Sequence, residues 1–264
     1  MMLRYVAQVA ALGVLAGFAA LPTARADEPP VPPFRPAVSG EAATAISQMG
    51  KTLSAKELSF TAKIIRVYLD PSGQPLHIFH TMKVVARRPD RLALQVTGDD
   101  GSHDLFYDGQ SVSIFSPDVK EYGAVAAPGD IPSALNEVTE KLNVDFPLAG
   151  FLEDSPDKAF LSEVVAGWRV GTASIDGVEY LHLFFVRRGG IDVELWAENN
   201  SEALPRRLIV THRLLPGQPN FIAEFSDWNT QARPSDSVFE FEPPAGATRV
   251  ELGPVPAPGQ EGGK

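Results

Sequence analysis

The chain contains no cysteine. No disulfide can brace it, no thiolate can act as nucleophile or metal ligand, and no lipid can be attached through an N-terminal cysteine. Positive charge is also scarce: 23 Lys and Arg stand against 33 Asp and Glu, for a formal net charge of −10. That balance disfavours nucleic acid and anionic membrane surfaces as electrostatic partners, and leaves basic partners or neutral, apolar ligands open. After Leu21 no apolar run approaches the roughly 20 residues needed to span a bilayer. Gly-x-Ser-x-Gly, phosphate-cradling glycine loops and Asp-x-Asp calcium spacing are absent as well.

What is present begins with a targeting pattern. Arg4 precedes an apolar run from Tyr5 to Leu21, followed by Ala24-Arg25-Ala26. A basic start, an apolar core and Ala-x-Ala predict a secretory signal peptide over 1–26, cleaved after Ala26. A membrane anchor fits less well, because the run is short and interrupted by Gln8, Gly13 and Gly17. Loss of Arg4 and Arg25 leaves 21 basic against 33 acidic residues and moves the charge from −10 to −12. An exported chain without cysteine suits a soluble protein of a bacterial periplasm, held by its core alone. Residues 27–38 are Pro-rich and read as an extended linker.

From Ser39 the periodicity becomes helical: Ala42, Ala45, Ile46, Met49 and Leu53 share a face, Ser39 or Thr44 can cap, and Gly50 limits the length. Strands follow. Glu57 to Asp70 alternates, Asp70-Pro71-Ser72-Gly73 turns, and Leu76 to Arg88 returns with Ile78, His80, Met82 and Val84 on one face. Leu92 to Val96, His103 to Tyr107, Ser111 to Phe115 and Lys120 to Val125 complete six strands in up-and-down order. The segment Ile131 to Glu163 breaks the pattern. Pro132 opens a helical run with Leu135, Val138, Leu142 and Phe146 on one side, and Asp154-Ser155-Pro156 starts a second, carrying Phe160, Leu161 and Val164. From Trp168 alternation resumes in Arg169 to Ile175, Val178 to Arg188, Ile191 to Glu198, Arg206 to Leu215 and Phe221 to Trp228. Val238, Phe239 and Phe241 suggest a last short strand, and 253–264 a Pro/Gly-rich disordered tail.

The expected fold is therefore mainly β (α+β): a curved antiparallel sheet or unclosed barrel of about eleven strands. One helix precedes it, and two helices lie over its concave face, because their apolar stripes have nowhere else to be buried. The domain should span 39–252, with 131–163 as a helical lid.

At this point the layout resembles the LolA/LolB-like superfamily of periplasmic lipoprotein carriers. Phe221 to Gly246 (FIAEFSDWNTQARPSDSVFEFEPPAG) resembles the ending of those proteins: a strand, an aromatic-Asn step, then F-x-F and Pro-x-Gly. Glu198 to Val210, with Leu204-Pro205-Arg206-Arg207-Leu208, resembles their W-x-D…P-x-x-L strand pair. The chain is similar most of all to an uncharacterised family of predicted periplasmic proteins in that superfamily. The resemblance implies a soluble periplasmic holder or carrier of acyl chains, with lid movement giving access.

The residues expected to line a cavity are Phe60, Ile64, Ile78, Met82, Leu92, Leu94, Val193, Leu195, Leu208, Val210, Phe221 and Phe225 from the sheet. Facing them from the insert are Leu135, Leu142, Phe146, Phe151 and Leu152. Each alone reads as ordinary core, but a sheet this wide is expected to enclose more volume than its side chains fill. Met82 and the phenylalanines would repack around variable chains. His77 and His80 point to opposite faces and cannot share a metal, while His80 and His212 share inward parity. Asp99-Asp100 and Glu153-Asp154 sit in turns and read as caps. Arg87, Arg88, Arg187, Arg188, Arg206, Arg207 and Arg213 gather at strand ends, where they keep edges soluble or frame a rim.

The expected function is that of a non-enzymatic, monomeric periplasmic binder of a hydrophobic ligand (lipoprotein acyl chains or another lipid), with no catalytic residues, metal or cofactor. The alternative is an envelope structural or protein-interaction module with a protein partner. A hydrolase built on His80 and His212 is a third possibility.

Overall fold

In the computed structural model, residues 37–70, 72–142, 144 and 146–253 are described. The signal peptide, residues 27–36 of the linker and residues 254–264 of the tail lie outside them.

Helix α1 (Gly40–Leu53) starts at the residue the sequence offers as cap: the Ser39 hydroxyl accepts from the Ala42 amide at 3.3 Å. Its buried face is Ala42, Ala45, Ile46, Met49 and Leu53, the expected stripe. Gly50 does not shorten the helix. A Cβ there would lie 2.5 Å from the Asp157 Cβ and 2.7 Å from its amide nitrogen, so the glycine admits a neighbouring helix at close range.

The strands are β1 (Glu57–Leu69), β2 (Pro75–Arg87), β3 (Arg91–Gly98), β4 (Gly101–Tyr107), β5 (Ser111–Ser116), β6 (Glu121–Ala126), β7 (Val164–Ile175), β8 (Val178–Arg187), β9 (Ile191–Glu198), β10 (Pro205–His212), β11 (Asn220–Asn229) and β12 (Thr248–Arg249). They form one sheet in the order β12-β6-β5-β4-β3-β2-β1-β11-β10-β9-β8-β7. Each meander is antiparallel, and β1 joins the two halves by pairing with β11 from Ser59↔Asn229 to Arg66↔Phe221. The ends of the order, β12 beside β6 at one side and β7 at the other, do not meet, so the curved sheet is not closed into a barrel.

Period-2 alternation sets which side chains turn inward. Phe60, Ala62 and Ile64 stand opposite Val84, Met82 and His80, and these opposite Leu94, Val96 and Gly98. One bulge changes the pattern: β11 carries an extra residue opposite Ser59–Thr61, and Asp227 takes φ 56°. Trp228 is thereby turned onto Phe60 (ring centroids 4.4 Å), with its Nε1 donating to the Pro205 carbonyl at 2.9 Å.

Between β6 and β7 lie α2 (Ile131–Leu142), a 3-10 turn (Ala149–Phe151) and α3 (Pro156–Leu161). The insert is thus helical, but it ends sooner than its pattern suggested. Val164 belongs to β7, five residues before the expected resumption, because its amide partner is Arg187 on β8. The start of β7 also receives the chain before α1: Ser39 donates to the Gly167 carbonyl (2.8 Å), and Gly167 donates to Ala37 (3.1 Å).

The expected strand at Val238–Phe241 does not form. Asp236–Val238 is a 3-10 turn, and Phe239 and Phe241 have lost ladder partners to packing. Phe239 is fully buried beneath the Arg87 guanidinium. Phe241 lies on Phe106, Phe115 and Tyr122, at 5.5, 5.7 and 5.2 Å, across the outer face of β4–β6. Pro234, Pro243 and Pro244 bracket the stretch, and both neighbours of β11 are already taken. The last strand is β12 instead, running parallel to β6.

Candidate functional site

The insert lies on the concave face of the sheet. Ile131, Ala134, Leu135, Val138 and Leu142 of α2 are buried in one apolar cluster with Phe60, Ile64, Val84, Leu92, Leu94, Leu195, Leu208, Phe221 and Phe225. Phe151 reaches the sheet directly, its ring 5.4 Å from Phe225. Phe160 of α3 meets Phe185 edge-on at 4.9 Å. Among the described residues, no polar or charged residue is fully buried. Away from Arg88, the seam between lid and sheet is apolar.

Polar ties hold the insert at both ends of the sheet: the Arg188 amide in the β8–β9 turn donates to the Glu163 carbonyl (2.9 Å), and a larger set surrounds the β2–β3 turn. The Arg88 guanidinium donates to the carbonyls of Ala55 (3.0 Å), Phe151 (3.1 Å) and Glu153 (3.1 Å), joining the α1–β1 connection to the 3-10 turn. Burial draws its pKa below the ordinary arginine value, partly offset by Asp154 and Glu153. The Ile131 amide donates to the Pro89 carbonyl (2.8 Å), and the Tyr107 hydroxyl to the Gly129 carbonyl (2.8 Å). The stretch Phe146 to Leu148 meets the sheet through side chains such as Ile64, Met82 and Phe221.

A small void remains there, lined by Phe60, Ile64, Met82, Val84, Leu94, Leu135, Phe146 to Ala149, Leu152 and Phe221. Its volume is about 20 Å³, room for about one water. With the lid closed, little of the space expected within the curved sheet is open at this place. The lid's own leucines and phenylalanines occupy the interior, as close packing favours. Eight expected lining residues border the void (Phe60, Ile64, Met82, Leu94, Leu135, Phe146, Leu152 and Phe221). Leu92, Leu142, Phe151, Val193, Leu195, Leu208, Val210 and Phe225 pack in the same core away from it. Ile78 stands beyond the lid, half-exposed. Val84, Pro147, Leu148 and Ala149 were missed; Val84 shares the inward parity, and the others lie in a stretch whose apolar character was visible but whose path was not. A larger open groove, about 550 Å³, lies at the sheet margin between β6, Lys141 of α2 and Arg249 to Leu252.

The inward histidines do not form a reactive set. His80 bonds Asp100 at 2.6 Å, whereas His212 pairs with Ile191 on β9, three strands away and at another level of the sheet. Asp99 accepts from the Phe79 amide (3.0 Å), a turn role like that expected. Of the arginines, Arg88 donates to the insert from its guanidinium and Arg188 from its amide; Arg207 is held by Glu224 (2.6 and 2.9 Å), and Arg213 by Asp192 (3.1 Å).

An unclosed antiparallel sheet with a preceding helix and helices inserted over its concave face is the layout of a lidded half-barrel, the class that the LolA-like resemblance implies. The chain belongs to the family described as predicted periplasmic protein (DUF2092), whose model matches residues 42–253. No curated protein matches it in sequence. Solved structures to which it is similar include LprF from Mycobacterium bovis (13% identity, 75% of this chain and 98% of that one, TM-score 0.46). The Mycobacterium tuberculosis lipoprotein LppX is another (14%, 74% and 99%, 0.45). So is the LolA superfamily protein NE2245 from Nitrosomonas europaea (14%, 75% and 98%, 0.35).

Proposed function

We infer that the protein is a periplasmic carrier that holds an acyl chain between its lid and its sheet, without catalysing a reaction. The observation that carries this reading is the seam, apolar away from Arg88, tied by polar contacts at the β2–β3 and β8–β9 turns and packed by side chains alone at Phe146–Leu148. An acyl chain entering beside Phe146–Leu148 would meet apolar side chains and leave the Arg88 bonds to Phe151 and Glu153 in place, and each Å² it removes from water is worth roughly 25 cal/mol. The lid must swing to admit it, since the closed void is far below the roughly 300 Å³ of a typical ligand pocket.

Mass spectrometry of organic extracts from the exported protein, with titration by a fluorescent long-chain fatty acid, tests the reading. Co-purifying acyl species and saturable probe binding are expected. Neither appearing would overturn it. The filled interior itself favours a second reading, a protein-interaction module of the envelope; pull-down of one protein partner with no extractable lipid would select that one.

A further inference from the structure

The two ends of the sheet differ in chemistry. At one end lie the β2–β3, β4–β5, β7–β8 and β9–β10 turns, whose tips read Arg88-Pro89-Asp90, Asp108-Gly109-Gln110, Asp176-Gly177 and Asn199 to Leu204. At the other end lie the β1–β2, β3–β4, β5–β6, β8–β9 and β10–β11 hairpins. Among the described residues, five of the eight exposed large apolar side chains belong to this second end: Leu214 (73% exposed), Val119 (64%), Leu76 (53%), Phe79 (52%) and Leu215 (52%).

They do not form a groove. Leu76 and Phe79 stand on β2, Val119 on the β5–β6 turn, and Leu214 and Leu215 together on the β10–β11 loop, Arg213-Leu214-Leu215-Pro216-Gly217-Gln218-Pro219. Leu214 is held outward rather than left loose. It rests over Gly190 of the β8–β9 turn so closely that a Cβ there would lie 2.2 Å from its Cγ. The β1–β2, β3–β4 and β5–β6 tips at this end carry Asp70, Asp99, Asp100 and Asp118 beside Lys120, and the arginines lie on the other two: Arg187 and Arg188 on one loop, and Arg213 on the next, anchored by Asp192 at 3.1 Å. The concave face is also uncovered here, with Ile78, Val96 and Val210 only half-buried.

We propose that the corner formed by the β8–β9 and β10–β11 loops is a lipid-bilayer docking surface, seated by insertion of Leu214 and Leu215 with Arg188 and Arg213 against the phosphate layer. Protruding leucines on a convex tip need a soft, apolar medium rather than a shaped socket, and flanking guanidiniums complement the phosphates just above it. The acidic chain disfavours broad electrostatic adsorption, so point insertion is the mode that fits. This inference goes beyond the carrier reading and stands without it.

The absence of native cysteine makes the test clean. Leu215→Cys and, at the opposite end, Asn200→Cys are each labelled with an environment-sensitive fluorophore in the exported protein. Each is then mixed with vesicles of 3:1 phosphatidylethanolamine and phosphatidylglycerol. A blue shift at position 215 but not at 200 is expected. Flotation with the same vesicles should show Leu214→Ser with Leu215→Ser weakening partitioning by about tenfold or more, the scale of one leucine withdrawn from water. Val178→Ser, an exposed apolar change at the other end, should leave it unaltered. Because these side chains are exposed, the variants should keep the parent's thermal transition. Failure of the unaltered protein to float, binding indifferent to the two leucines, or leucine-dependent self-association without vesicle binding would each overturn the proposal.

Discussion

Arg88 stands at the end of β2, and its charge is spent on three carbonyl oxygens from two separate connections. Truncation would leave those carbonyls without their donor in a partly buried place. Arg88→Ala is therefore expected to lower stability by about 3 kcal/mol, several charge-assisted hydrogen bonds acting together. Denaturant unfolding at an unchanged m-value checks this, and the same variant should take up the fatty-acid probe faster. Arg88→Lys, a point charge without the planar fork, should restore little of the loss. The sequence marked Arg88 as one of seven arginines at strand ends and went no further. Nothing local could have singled it out, because its acceptors lie 33, 63 and 65 residues away. Inward parity, by contrast, was readable residue by residue, since a two-residue period needs only neighbours.

At the scale of elements, strands with long alternation were found nearly to the residue, and errors fell where tertiary packing overrode a short pattern. Phe239 and Phe241 alternate like a strand, yet the outer face of β4–β6 offers them an aromatic bed, and no neighbouring strand position is vacant. The lid's helices were legible from their stripes, but the void they leave was not, because volume depends on how two surfaces interlock. The start of α2 yields a pH-dependent expectation. Asp130 accepts from the Ser133 amide at 2.9 Å, and bonds from the Ser133 side chain and then its amide hold the carboxyl below its ordinary value of 3.8. A depressed folded pKa means that the cap's contribution is whole above 3.8 and is lost as pH falls through the lower folded value. Asp130→Ala should thus cost about 1 kcal/mol at neutral pH. Thermal unfolding of the pair should show the difference shrinking as the solution is acidified below that value.

For the whole molecule, one sheet supplies a continuous ladder while the insert rests on it through side chains and a few hydrogen bonds at its margins, so the two should not open together. Hydrogen exchange is expected to show amides of Ile131–Leu142 and Pro156–Leu161 exchanging by a sub-global route, at lower free energy than those of β1, β2 and β11. Protection of the insert matching that of the central strands would mean that lid and sheet are one cooperative unit, and the carrier reading would lose its moving part.

The pairing of β1 with β11 bears on how such a chain is made. Arg66 finds its partner Phe221 only 155 residues later, and β12 completes the margin of β6 later still. Contacts of such sequence separation form slowly and cannot begin until nearly the whole polypeptide is present. The first six strands therefore lack their central neighbour until late in synthesis, and the N-terminal half cannot complete its sheet by itself.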